Sequence, residues 1–156
     1  MILNQEFGFD EVRWAISRAT RSYDTKIAFL GAPVKTRLEP REVLFRLDSM
    51  AAGRQFLEVW RMREAVFRSL ILQARSGSGG LRSAAENGLA LPSRERLSVT
   101  EIELIQPVCA WVGAANSLFG KPGGSEQVFL PNLYARGNPR TSSCAKLRRT
   151  YWILSE

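Results

Sequence analysis

The stretch from Trp111 to Pro131 constrains the fold most. A Gly-rich loop containing Gly120, Pro122, Gly123 and Gly124 runs directly into Ser125-Glu126-Gln127, and the apolar Val128-Phe129-Leu130 follows before Pro131 ends it. Consecutive glycines permit positive φ and let another group approach the backbone closely. The apolar triplet between the loop and the proline reads as a strand. Glu126 and Gln127 therefore sit at a loop-to-strand junction that a ligand could reach. Adjacent strand residues point to opposite faces, so only one of the two can face a cleft. No helix opens after the glycines, so neither the dinucleotide fingerprint nor the P-loop applies.

The chain has no histidine. Ser-His-Asp and Cys-His nucleophile systems are thereby excluded, as are histidine-containing zinc sites and a histidine general base. Any catalysis falls to Asp, Glu, Arg, Tyr, Ser or the bound substrate. Cleavage through an oxocarbenium-like transition state suits that inventory, because one well-placed carboxylate or amide can suffice. Cys109 lies among apolar residues and reads as a buried small hydrophobe. Cys109 and Cys144 show no C-x-x-C spacing and are expected to be reduced.

At 156 residues and 45% hydrophobic content, residues 1–156 are expected to form a single domain with its own core. No apolar run reaches the roughly 18 residues of a spanning helix, and no secretory signal is visible. Action in the cytosol is expected, with no membrane partner; delivery into a target cell without a cleavable signal would leave the same pattern. The formal net charge is +7, carried mostly by Arg. Arg136, Arg140, Lys146, Arg148 and Arg149 gather near the C-terminus, with Glu156 the only acid beyond Pro131. Such a segment is either a solvated face or a surface for nucleic acid or an acidic protein.

Along the chain, Asp10 to Tyr23 reads as a helix capped by Asp10. Lys26 to Leu30 is a short apolar segment closed by Gly31-Ala32-Pro33. Arg41 to Asp48 reads as a strand entered after Pro40. Gly53 to Arg75 is the longest helical pattern, with Phe56, Val59, Trp60, Phe67, Leu70, Ile71 and Ala74 on its buried face. Leu81 to Asn87 is a short helix with Gly88 as its C-terminal cap. Thr100 to Gln106, Val108 to Val112, Val128 to Leu130 and Thr150 to Leu154 read as strands. Helices early and strands late predict an α+β fold with a largely antiparallel sheet.

Arg46 shares a strand face with Leu44 and Asp48 by period-two alternation. An arginine on the buried side of a strand needs a partner. It either pairs with an acid such as Asp48 or lines a pocket and grips a pyrophosphate. Trp111 and Trp60 are core aromatics by default, but a Trp near a Gly-rich loop could stack on a nicotinamide or a base.

An Arg on an early strand, a Trp-containing strand, then Gly-Gly-x-x-Gln, an apolar strand and Pro resembles the ADP-ribosyltransferase superfamily. More narrowly, the order is similar to the NAD-cleaving bacterial toxin domains of the necrotising-toxin type. The matching residues are 42–48 and 108–131. The resemblance implies N-terminal helices with a split, largely antiparallel sheet. It implies that NAD is the substrate, that no metal is required, and that the nicotinamide–ribose bond is broken. It places Arg46 on NAD and makes Gln127 the residue that completes the site. In transferring relatives that motif carries Glu, for which Glu126 is the adjacent candidate.

On this reading Arg46 binds the pyrophosphate through paired N–H donors. Gln127 or Glu126 orients the ribose and stabilises charge at the anomeric carbon. Trp111 stacks on the nicotinamide, and Gly123, Gly124 and Ser125 form the adjoining wall. Water as acceptor gives an NAD glycohydrolase, and a macromolecule gives an ADP-ribosyltransferase. An acidic cognate inhibitor or nucleic acid would use the C-terminal cations. The competing reading is a non-catalytic basic domain bound to nucleic acid or an acidic protein.

Overall fold

Strand-forming segments dominate this chain, and each finds its partners far away in sequence. The computed structural model describes residues 2–13, 28–48, 59–76, 80–90, 97–118, 120–133 and 142–153. Among the described residues there are seven strands: β1 (Val34–Leu38), β2 (Val43–Asp48), β3 (Trp60–Arg63), β4 (Leu97–Leu104), β5 (Val108–Ala114), β6 (Glu126–Phe129) and β7 (Ala145–Ile153). They pair antiparallel in the order β1-β5-β6-β3-β2-β4-β7. The helices are α1, described over residues 9–13, α2 (Glu64–Ser76) and α3 (Gly80–Leu89). The fold is therefore α+β with an antiparallel sheet, as the segment pattern predicts.

β3 is the seam of that sheet. Its first two residues, Trp60 and Arg61, pair with Phe129 and Val128 of β6. Its last two, Met62 and Arg63, pair with Phe45 and Leu44 of β2. The strand groups β1-β5-β6 and β2-β4-β7 are thus joined through four residues. β2 and β3 part beyond Phe45, and β3 and β6 part beyond Arg61.

Cross-strand neighbours share a face, and the core clusters show which face is which. Leu38, Leu44, Ile102, Leu104, Val108, Ala110, Val112 and Val128 form one cluster that draws on both strand groups. On the opposite face, Phe45, Met62 and Val99 lie under Phe67, Leu70, Ala85 and Leu89 of the two helices. Phe45 and Phe67 stack with ring centroids 4.3 Å apart. Trp111, Phe129, Phe29 and Val12 make a third cluster, packed by Trp60 and Phe9. α2 forms because Phe67, Leu70 and Ile71 recur at helical spacing. Glu64 in its first turn favours the helix dipole and pairs with Arg68 at 2.8 Å. Each fully buried Phe or Leu contributes about 1.5–3 kcal/mol.

Several sequence boundaries move. The helix expected over Gly53–Arg75 is β3 followed directly by α2; Trp60 and Met62 are drawn into apolar clusters by sheet pairing, which overrides the helical spacing. Phe56 lies outside the described residues. A strand precedes these helices that the sequence reading omits, Val34–Leu38, whose only buried residue is Leu38. Of the helix expected at Asp10–Tyr23, residues 14–23 lie outside the described residues. Its entry is at Gly8, whose carbonyl accepts Val12 N–H at 3.3 Å and whose N–H donates to Glu11 Oε1 at 3.2 Å, while Asp10 pairs with Arg13. Gly88 lies inside α3 rather than capping it, and Ala90 takes the left-handed position (φ 54°). Glu101 is buried and held by Arg149 across the β4–β7 pair.

Candidate functional site

The Gly-rich loop is stapled to its own fold. Gly123 has φ 74°, and a Cβ there would stand 2.5 Å from the Ala115 carbonyl oxygen and 2.7 Å from that of Asn116. Its N–H donates to Asn87 O at 2.8 Å, Gly124 N–H to Ala115 O at 2.8 Å, and Ser125 N–H to Gly88 O at 2.9 Å. Gly88 packs so closely that an added Cβ would collide with the Ser125 hydroxyl. Lys121 and Arg82 both reach the buried carboxylate of Glu86, at 3.7 and 3.2 Å. The close approach that glycine permits at 123 is therefore met by the chain's own backbone. Gly124, at φ 100°, has open space beside it.

From this anchored loop the chain enters β6, and strand alternation separates the two candidate polar residues. Gln127 stands opposite Gly113, on the face of Trp111 and Phe129. It is 8% exposed and donates from Nε2 to Ala28 O at 2.7 Å. Glu126 lies on the other face, with Val128. Its Oε1 accepts from Arg63 Nε at 2.8 Å and Nη2 at 2.7 Å, and both side chains are half-buried. The pair bridges the gap where β3 and β6 part.

A cleft of about 820 Å³ opens at this point. Arg63, Glu126 and Ser125 line it, together with Pro40, Arg41, Glu42 and Val43. The first turn of α2 and Ser69 also border it. Arg41 is held at φ 75°, a left-handed conformation unusual for a residue with a side chain, with its N–H on Leu104 O at 2.7 Å. The cleft thus brings a carboxylate, one oxygen of which accepts two N–H bonds from a guanidinium, next to a serine and a second arginine. A fixed carboxylate can stabilise positive charge developing on a substrate, and the arginines can bind anionic groups.

The remaining expected residues lie elsewhere. Arg46 is 8% exposed, opposite Thr100, and on the same face as Leu44 and Arg63. It does not line the cleft with Glu126. Arg61, 4% exposed, occupies the neighbouring position on β3 where β2 and β3 part. Trp111 is 2% exposed and packed against Phe129 and Phe9, so no ring face is open to stack on a nicotinamide. Arg61, Arg63 and Arg41 were not singled out by sequence reasoning. The signal for the first two is the alternation in Trp60-Arg61-Met62-Arg63, hidden there by a helical reading. Arg136 and Arg140 lie outside the described residues, whereas Lys146, Arg148 and Arg149 are exposed on β7.

Beyond the cleft, Arg149 donates from Nε to Glu101 Oε2 at 2.7 Å and lies over the Tyr151 ring at 4.8 Å. The Glu101 hydrogen bond and charge hold the Arg149 guanidinium above its ordinary range. Burial, with the Glu101 charge second, pushes the Tyr151 phenol up. Among the described residues no group of three or more Cys, Asp and Glu stands together as a metal site. Cys109 and Cys144 are not linked to each other. No helix among the described residues is long and apolar enough to cross a membrane.

No protein-family model matches the chain, and no curated protein matches it. Among solved structures, Rhs1-CT in complex with its cognate immunity protein RhsI1 is similar, with a TM-score of 0.53 and 16% sequence identity. The match covers 80% of this chain and 84% of that one. At such an identity the likeness is one of fold.

Proposed function

We propose, from the fold shared with Rhs1-CT and from the cleft at Glu126, that this chain is a bacterial toxin or effector domain that cleaves the nicotinamide–ribose bond of NAD. An immunity protein protects a producer from its own product, so sharing the fold of a chain that has one supports the toxin class. The seam at β3 is compatible with the split sheet of the ADP-ribosyltransferase superfamily. The observation that carries the activity is Glu126, a half-buried carboxylate held by Arg63 on the wall of a cleft beside Ser125.

In the reaction, nicotinamide leaves with the bonding electron pair and positive charge develops at the ribose anomeric carbon. Glu126 stabilises that charge, and Arg63 fixes the carboxylate before the substrate arrives. Arg41, which lines the cleft with Arg63 and Glu126, is assigned to the pyrophosphate; the buried Arg46 and Arg61 share the sheet face of Glu126 but do not border the cleft. Since a carboxylate rather than the Gln127 amide borders the cleft, transfer of ADP-ribose to a macromolecule is favoured over hydrolysis by water.

The test is to incubate the protein with NAD and follow free nicotinamide, with and without cell lysate. Release is expected to be greater with lysate. Glu126→Gln should reduce it by about 10²–10³-fold, and Arg41→Ala should weaken NAD binding without unfolding the chain. A folded wild-type protein that releases no nicotinamide in either condition refutes the reading. The exposed Lys146, Arg148 and Arg149 favour the alternative, a non-catalytic basic domain; it would bind nucleic acid or an acidic protein with steep salt dependence and leave NAD intact.

A further inference from the structure

Among the described residues β7 ends the strand order and pairs only with β4. Its outer row of backbone N–H and C=O groups faces away from every described strand, which makes it a template for a further strand. A bulge interrupts it. Glu101 stands opposite Arg149 and Ile102 opposite Leu147, so Arg148 is the additional residue. In a regular strand Arg148 and Arg149 would point to opposite faces. With the bulge, both line one groove of about 530 Å³, together with Arg68, Phe67, Ile71 and Glu101.

The charges of this groove are unevenly satisfied. Arg68 pairs with Glu64 at 2.8 Å. Arg149 uses Nε on the buried Glu101, yet its side chain remains 66% exposed. Arg148 has no acidic partner among the described residues. On the opposite sheet face of the same edge strand, Leu147 and Trp152, across from Ile102 and Ser98, are 60% and 46% exposed. Protein interfaces are enriched in exposed Trp and Arg, and guanidinium binds carboxylate in paired geometry. A nucleic acid cannot hydrogen-bond along the open edge of β7 as an added strand, whereas an extended protein segment can.

We infer that the β7 edge and its groove form the docking surface for an acidic protein, whose carboxylates enter between Arg68, Arg148 and Arg149 and whose apolar side chains cover Leu147 and Trp152. That this partner is an inhibitor rests on the toxin reading; the surface itself does not. The groove shares Glu64 with the cleft at Glu126, but Arg68, Arg148 and Arg149 do not line that cleft.

A fluorescently labelled alternating Glu-Leu peptide serves as the probe, since its extended form offers acids on one face and apolar groups on the other. Binding is followed by anisotropy, beside a labelled single-stranded DNA of equal charge. Arg148→Glu should weaken the peptide at least tenfold and Trp152→Ser several-fold, with the near-UV circular dichroism of a folded chain. Arg37→Glu, an equal charge change on the opposite edge strand β1, should leave binding unchanged. No peptide binding by wild type, an equal loss in Arg37→Glu, or tighter binding of the DNA that Arg148→Glu abolishes would each overturn the inference. NAD cleavage is measured on the same samples. Peptide binding without cleavage removes only the enzyme reading, and cleavage without binding removes only this surface.

Discussion

Gly123→Ala separates a glycine needed by the fold from one open to a ligand. The substitution puts a methyl group at φ 74°, which costs about 1–2 kcal/mol for the left-handed conformation. It also drives that methyl into the carbonyl oxygens of Ala115 and Asn116, 2.5 and 2.7 Å away. Those are backbone atoms and cannot rotate aside. Relief requires moving the loop off β5 and α3, at the expense of the bonds Gly124 N to Ala115 O and Gly123 N to Asn87 O, both 2.8 Å. Each is worth about 1 kcal/mol, so the total loss is about 3–4 kcal/mol, or roughly 6–16 °C in melting temperature for a chain of this size. Gly124→Ala, at φ 100° with nothing within 4 Å, carries only the conformational cost of about 1–2 kcal/mol. Urea unfolding followed by circular dichroism measures both. Equal midpoints for the two variants would refute the packing argument. If Gly124 faces bound NAD, its alanine variant should lose NAD affinity beyond what its stability change explains.

Gln127→Ala leaves Ala28 O unpaired in a buried site and should cost about 1–3 kcal/mol in thermal unfolding; NAD cleavage per folded molecule should persist, and its disappearance would return Gln127 to the active site. Leu70→Ala, at a position with no exposure between α2 and the sheet, should cost about 2–5 kcal/mol, and a change within error would show that the helix does not pack as described. Because burial holds the Tyr151 phenol above its ordinary value of 10.0, the folded chain keeps that proton longer than the unfolded chain. This contribution to stability is complete below the ordinary value and is lost as the pH rises through the raised one. Tyr151→Phe should therefore flatten the alkaline limb of a stability–pH curve, and an equally steep limb in the variant would refute the assignment.

The α+β class, the antiparallel character, the strand at Arg46 and the strand after the Gly-rich loop were all legible in the chain, because alternation, glycine and proline act within a few residues. The same local rule predicted that Glu126 and Gln127 must divide between two faces. It could not decide which of them reaches a cleft. That depended on β6 pairing with β5, which turns Gln127 toward Phe29 and leaves Glu126 to meet Arg63, 63 positions away in sequence. Trp60-Arg61-Met62-Arg63 fits helical spacing as well as a strand, and only β2 and β6 on either side make it the seam of the sheet. Trp111 gives no local sign of whether its ring is buried; α1, Phe29 and Phe129 close over it. Local propensity is a property of the chain, whereas a strand's partners, and hence which face is covered, exist only once distant segments have met.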